Sequence, residues 1–171
     1  MSEESKCPNC NEINQFDTYC SNCGFPIRGT ESEVESFNRR ILLKINVLKD
    51  SKKKIKNVNI LLSIIAGLHF ILGLYYAMDE YTFLDGILNL IAGVMFIGCI
   101  IWVRSQPLIG VLAAFSLWII LQLSVVMVDP SLLFSGILLK VIFISIFIKG
   151  ITSARDYQNY KAQLMEMGIK K

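Results

Sequence analysis

Four cysteines stand in two short pairs near the start of the chain, Cys7-Pro8-Asn9-Cys10 and Cys20-Ser21-Asn22-Cys23. Two C-x-x-C knuckles at this separation suit a single tetrahedral site, since each tight turn gathers two thiolates and lets backbone amides donate to the sulfurs. Zinc favours four thiolates in a closed structural site, so the spacing predicts Zn2+ held by Cys7, Cys10, Cys20 and Cys23. Iron held by the same four thiolates is the chemical alternative. A redox dithiol needs only one C-x-x-C and usually a βαβ setting, which the sequence lacks. One shared metal ion also fits so short a segment better than two crossing disulfides, and it implies a reducing compartment.

The other residues able to do chemistry lie farther along, inside long apolar runs. His69, Asn89, Gln122 and Lys140 interrupt those runs, and Asp85 stands at the edge of one. Polar side chains in such surroundings are costly and often functional, although a lone His or Asn more often bonds a neighbouring helix. Asp85, Asn89, Gln122 and Lys140 are expected to form a polar cluster facing a bundle interior, with Lys140 reaching toward Asp85. Cys99 is read as a small buried apolar residue. The His is not in H-E-x-x-H, and neither G-x-S-x-G nor G-x-x-x-x-G-K occurs, so the chain is not expected to be an enzyme.

The elements that must position these residues follow from hydropathy. At 53% hydrophobic residues and a mean hydropathy of +0.50, the chain of 171 residues is too apolar for an ordinary soluble domain. The excess lies after Asn57 and divides into spans near 58–78, 84–103, 107–128 and 132–151, each about the 20 residues needed to cross a bilayer. The separators Asp79-Glu80-Tyr81-Thr82, Arg104-Ser105-Gln106-Pro107 and Asp129-Pro130-Ser131 carry turn chemistry. Ser63/Gly67, Gly110/Ala114 and Ser131/Ser135 have the small-x-x-x-small spacing that permits close helix packing.

Ahead of the spans, residues 29–57 read as an amphipathic helical stalk, with a helix lying on the membrane surface or half of a coiled coil as the other readings; only Val34, Ile41, Leu48 and Ile55 keep a strict heptad. Thr30-x-x-Glu33 and Ser32-x-x-Glu35 both have capping-box spacing, and Val34, Phe37, Ile41, Ile45, Leu48 and Ile55 share one helix face. The stalk ends in Lys52, Lys53, Lys54 and Lys56, placed to meet anionic lipid headgroups. These lysines, Arg104, Lys149, Arg155 and Lys161 fall on one side of the spans, and Asp79, Glu80, Asp85 and Asp129 on the other. The positive-inside rule then puts both termini in the cytosol of a multi-pass inner-membrane protein. The polar start of the chain carries no apolar signal segment, in keeping with that orientation.

The head, from Lys6 to Ile27, resembles the short zinc-ribbon family found at the N-termini of many prokaryotic proteins, including small multi-span membrane proteins. The likeness rests on both knuckles, Tyr19 before the third cysteine, Gly24 after the fourth and Ile27 closing the segment. Asn11 stands where these ribbons usually place Gly, and Asn also tolerates the left-handed backbone. The resemblance implies a small metal-stapled module and no activity. Some zinc ribbons bind nucleic acid, yet no Lys or Arg occurs between Cys7 and Ile27 to meet phosphate.

The fold class expected is therefore an all-α membrane protein: a zinc ribbon at 1–28, the stalk at 29–57, four transmembrane helices at 58–151 and a polar cytosolic tail at 152–171. The function expected is a non-enzymatic scaffold, adaptor or assembly factor that presents its ribbon to a protein partner or to further copies of itself, with the lipid bilayer as its other partner. A small transporter or channel subunit using the polar residues in the spans is the alternative.

Overall fold

The computed structural model describes residues 5–14 and 18–168. Two two-residue strands, β1 (Ser5–Lys6) and β2 (Ile13–Asn14), pair antiparallel around the first knuckle, with Lys6 opposite Ile13. Four helices follow: α1 (Glu31–Ala77), α2 (Phe83–Ser105), α3 (Pro107–Val128) and α4 (Ile137–Glu166). Each is long and apolar enough to cross a membrane. The expected four-span, all-α architecture with a cysteine module ahead of it is thus the fold found.

The chain forms two compact units. One holds the described residues up to Asp50 together with those from Asp156 onward; the other is Ser51–Arg155. α1 and α4 contribute to both.

Stalk and first span are one helix. No Pro or Gly falls between Glu31 and Ala66, so nothing in the backbone stops propagation where the side chains change from charged to apolar. At 1.5 Å per residue, α1 reaches about 70 Å. Of the two candidate caps, Thr30 is the one used: its N–H donates to Glu33 Oε2 at 2.8 Å, and Glu33 N–H donates back to Thr30 Oγ1 at 3.4 Å. The face expected to be apolar is the covered one, with Phe37 and Ile55 buried and Val34, Ile41, Ile45 and Leu48 half-buried.

The turns use the chemistry of the separators. Asp79 Oδ1 accepts from Tyr81 N–H at 3.2 Å, Pro107 opens α3 where a missing N–H does no harm, and Asp129 Oδ1 accepts from Ser131 N–H at 2.9 Å. That last bond starts a 3-10 turn over Pro130–Leu133, and Gly136 follows with φ +65°. α4 therefore begins at Ile137, five residues later than the span limit of 132 predicts, and runs on through the polar tail to Glu166.

Within Ser51–Arg155 the helices meet where side chains are smallest. A Cβ on Gly86 would lie 2.5 Å from the backbone N of Ala77, and one on Gly150 2.5 Å from Val58 Cγ2. Gly110, from one of the expected small pairs, likewise sits against the Val103 backbone, with Ala114 buried a turn later. Gly67 meets nothing within 4 Å, and the pair used on α1 is Gly73/Ala77 instead. Phe96, Val111 and Phe147 are fully buried between the helices, whereas Ile71, Leu74, Ile101, Leu123 and Val141 are exposed. An apolar exterior around an apolar interior is what a bilayer solvates.

Candidate metal centre

The two knuckles are built alike. Asn11 N–H donates to Cys7 O at 2.9 Å and Gly24 N–H to Cys20 O at 2.8 Å; Cys7 N–H donates to Glu12 O at 2.9 Å and Cys20 N–H to Phe25 O at 2.8 Å. Each turn closes through a left-handed residue, Asn11 at φ 60° and Gly24 at φ 71°. Asn11 thus takes the backbone conformation for which Gly is the usual choice.

These turns bring the four thiols together. Cys7 Sγ lies 3.6 Å from Cys23 Sγ, Cys10 Sγ lies 3.6 Å from Cys20 Sγ, and all four sulfurs fall within 4.8 Å of one another. A tetrahedron with metal–sulfur bonds of about 2.3 Å has sulfur–sulfur edges of about 3.8 Å, so the separations suit one central ion. They are far from the roughly 2.05 Å of a disulfide, and all four cysteines are free.

Burial supplies a second indication of a cation. Cys7, Cys20 and Cys23 are buried, with Phe25, Ile27 and Met167 packed against them. Without a metal, burial pushes the Cys23 thiol up to about 12 and also raises Cys10. Four adjacent thiolates require a positive charge among them, and binding releases the protons. The Nδ2 atom of Asn9 is buried with no hydrogen-bond partner of ordinary geometry, yet it sits where it favours the charged form of Cys23. A donor left unsatisfied beside a neutral thiol becomes useful beside a thiolate.

The start of α1 and the residues at the end of α4 both hold this head. Phe25 meets Phe37 of α1 edge to face, with ring centroids 5.3 Å apart. Tyr19 Oη donates to Glu33 Oε1 at 3.0 Å. From the other end, Met167 packs on the cysteines, and a Cβ on Gly168, at φ 70°, would come within 3.0 Å of Cys10 Cβ. The tail was expected to be merely polar. Sequence reasoning missed that Leu164, 6% exposed, and Met167 are three residues apart on one helical face, which was the available signal.

The remaining candidates are dispersed. Lys52, Lys53, Lys54 and Lys56 are exposed along α1. Asn89 and Gln122 line one cavity with His69, whereas Asp85 is exposed and Lys140 lies outside that lining. Because α4 starts at Ile137 rather than near residue 132, Lys140 stands in its first turn and not well inside the span. Asp85 and Lys140 form no ion pair with each other among the described residues; on α1, Arg39 pairs with Glu35 at 2.9 Å. Asn89 instead meets His69, with Oδ1 and Nδ1 2.9 Å apart.

Compared with protein-family models, curated proteins and solved structures, the chain matches none.

Proposed function

We propose that this chain is a membrane-anchored, non-enzymatic interaction protein whose head is a zinc ribbon, with Zn2+ on Cys7, Cys10, Cys20 and Cys23. The bound ion would neutralise the thiolates and fix both knuckles, a structural role with no open coordination position. About 20 residues cannot bury a core of their own, so the metal carries the folding of this segment.

One observation carries the reading: the head packs against the start of α1 and the end of α4, while apolar side chains elsewhere on α1 and on β2 stay uncovered. Phe37 and Met167 are drawn onto the head, yet Leu42 and Leu43 on α1 are each 59% exposed and Ile13 on β2 is 53% exposed. These three precede the Lys52 to Lys56 cluster, on the side that the positive-inside rule assigns to the cytosol, where lipid does not cover them. A protein partner, or further copies of the chain, would cover them. The four spans serve as anchor, and the lysines rest on headgroups.

The test is affinity purification of the full chain from membranes, comparing wild type with Leu42→Glu/Leu43→Glu and with Cys20→Ser/Cys23→Ser. Partners or self-association lost in both variants support the reading, and an unchanged set in both removes it.

A further inference from the structure

Within Ser51–Arg155 a cavity of about 380 Å3 lies between α1, α2, α3 and α4. Its walls are aliphatic and aromatic apart from His69, Asn89, Gln122 and Ser124. Two of these are already committed. Ser124 Oγ donates to Ile120 O at 2.9 Å, and Asn89 Nδ2 donates to Asp85 O at 2.9 Å.

The second bond determines a tautomer. A backbone carbonyl only accepts, so the Asn89 amide must turn its Nδ2 toward Asp85 and its Oδ1 toward His69. Oδ1 is an acceptor as well, and the His69 Nδ1 atom 2.9 Å away must therefore carry the hydrogen. In the neutral ring the lone pair then resides on Nε2, to which no described residue donates. The ring itself is held in place, stacked on the fully buried Phe96 at 5.6 Å between centroids. Gln122, half-buried on α3, forms no hydrogen bond with any described residue. His69, whose Nε2 is an acceptor, and Gln122, with its carboxamide, thus both line one apolar cavity.

The polar side chains of His69, Asn89 and Gln122 all lie well inside the bundle. His69 lies eight residues before the end of α1, Asn89 six after the start of α2 and Gln122 six before the end of α3, which puts all three about 9–12 Å inside the same end of the bundle. At that depth in hydrocarbon, polar groups need partners from protein or ligand. The rim residues Leu68, Leu72, Leu88 and Val125 are themselves exposed, so the cavity opens on the apolar outer surface that faces lipid. No Asp, Glu, Lys or Arg lines it, which disfavours a charged head of either sign.

We propose that this cavity binds an uncharged, hydroxyl-bearing lipid, whose hydroxyl donates to His69 Nε2 and accepts from the Gln122 amide. A hydroxyl is the smallest neutral group that answers both. The site is independent of the metal-dependent head, and neither reading stands or falls with the other.

The experiment incubates the purified full chain with phosphatidylcholine vesicles containing dioleoylglycerol or its methyl ether, and counts retained lipid by native mass spectrometry. Wild type should keep one dioleoylglycerol per chain and hold the ether, which lacks the donor, about tenfold less well, as loss of one specific hydrogen bond implies. His69→Phe, which keeps the ring on Phe96, and Gln122→Leu should each lower dioleoylglycerol retention by a similar factor. Equal retention of the ether, retention of phosphatidylcholine alone, or no retained lipid overturns the proposal. The two-lipid comparison uses unmodified protein, so it decides even where a variant fails to fold.

Discussion

Tyr19 donates its phenolic hydrogen to Glu33 Oε1 across 3.0 Å, and Glu33 is the same carboxylate that caps the start of α1 through Thr30. The residue immediately before the second knuckle is therefore fastened to the helix entry. Glu33 is held below the ordinary carboxylate range, first by the Thr30 backbone N–H and then by Tyr19; Tyr19 is raised above the ordinary phenol range by Glu33.

The two shifts have opposite signs in stability. Glu33, depressed in the folded state, contributes stability present above the ordinary carboxylate value and lost as pH falls through its folded value. Tyr19, raised in the folded state, contributes below the ordinary phenol value and loses that as pH rises through its folded value. In metal-loaded protein with labelled tyrosines, the Tyr19 resonance, assigned with Tyr19→Phe, should titrate above the ordinary range. Glu33→Gln should bring it down, and a Tyr19 titration indifferent to that change would falsify the contact.

Metal removal should loosen both ends of the chain together. Purified protein is expected to hold one zinc, and less than about half an equivalent after chelator-free preparation counts against the site. Because Met167 packs on the cysteines, chelation should speed amide exchange in residues 18–27 and also in the last turn of α4. Faster exchange confined to the knuckles would mean that the tail is held by something else.

The left-handed positions should answer to substitution unequally. Gly24 has open space where a Cβ would go, so Gly24→Ala meets only the backbone penalty of about 1–2 kcal/mol, or roughly tenfold in metal affinity. Asn11→Gly should leave affinity unchanged or slightly raised, and Asn11→Val should lower it further than Gly24→Ala. Competition with a chromogenic chelator ranks the three.

Helix crossings give a matched comparison. Gly86→Ala drives a methyl into the Ala77 backbone and should cost about 1–3 kcal/mol in detergent-solubilised protein. Gly67→Ala and Gly98→Ala, with nothing within 4 Å, should be neutral or mildly stabilising through helix propensity. Equal melting temperatures for all three would show that α1 and α2 do not approach closely at Gly86.

Topology is open to reporter fusions. Fusions after residues 81 and 130 should report the external side and those after 105 and 171 the cytosol. An externally active fusion at 171 would mean an odd number of spans, with α4 the helix that fails to insert.

What the sequence determined by itself was everything governed by local spacing or by solvent. Two C-x-x-C pairs separated by nine residues suit one tetrahedral ion, so the four cysteines were legible as one site. Runs of about twenty apolar residues cannot be solvated by water, so four spans were legible too. The Thr30 cap, the covered face from Val34 to Ile55 and the left-handed Asn11 belong to the same class, because each depends on neighbours within a few residues. Tertiary structure decided which faces meet. Glycines at 86, 110 and 150 allow close approach at particular rotations, and those rotations set Asn89 against His69 while leaving Asp85 exposed. It also decided that Met167, some 150 residues from the knuckles, covers the cysteines. Neither outcome has a sequence period, since both depend on how helices turn and pack once several are present, and a small rotation about a helix axis exchanges one polar partner for another.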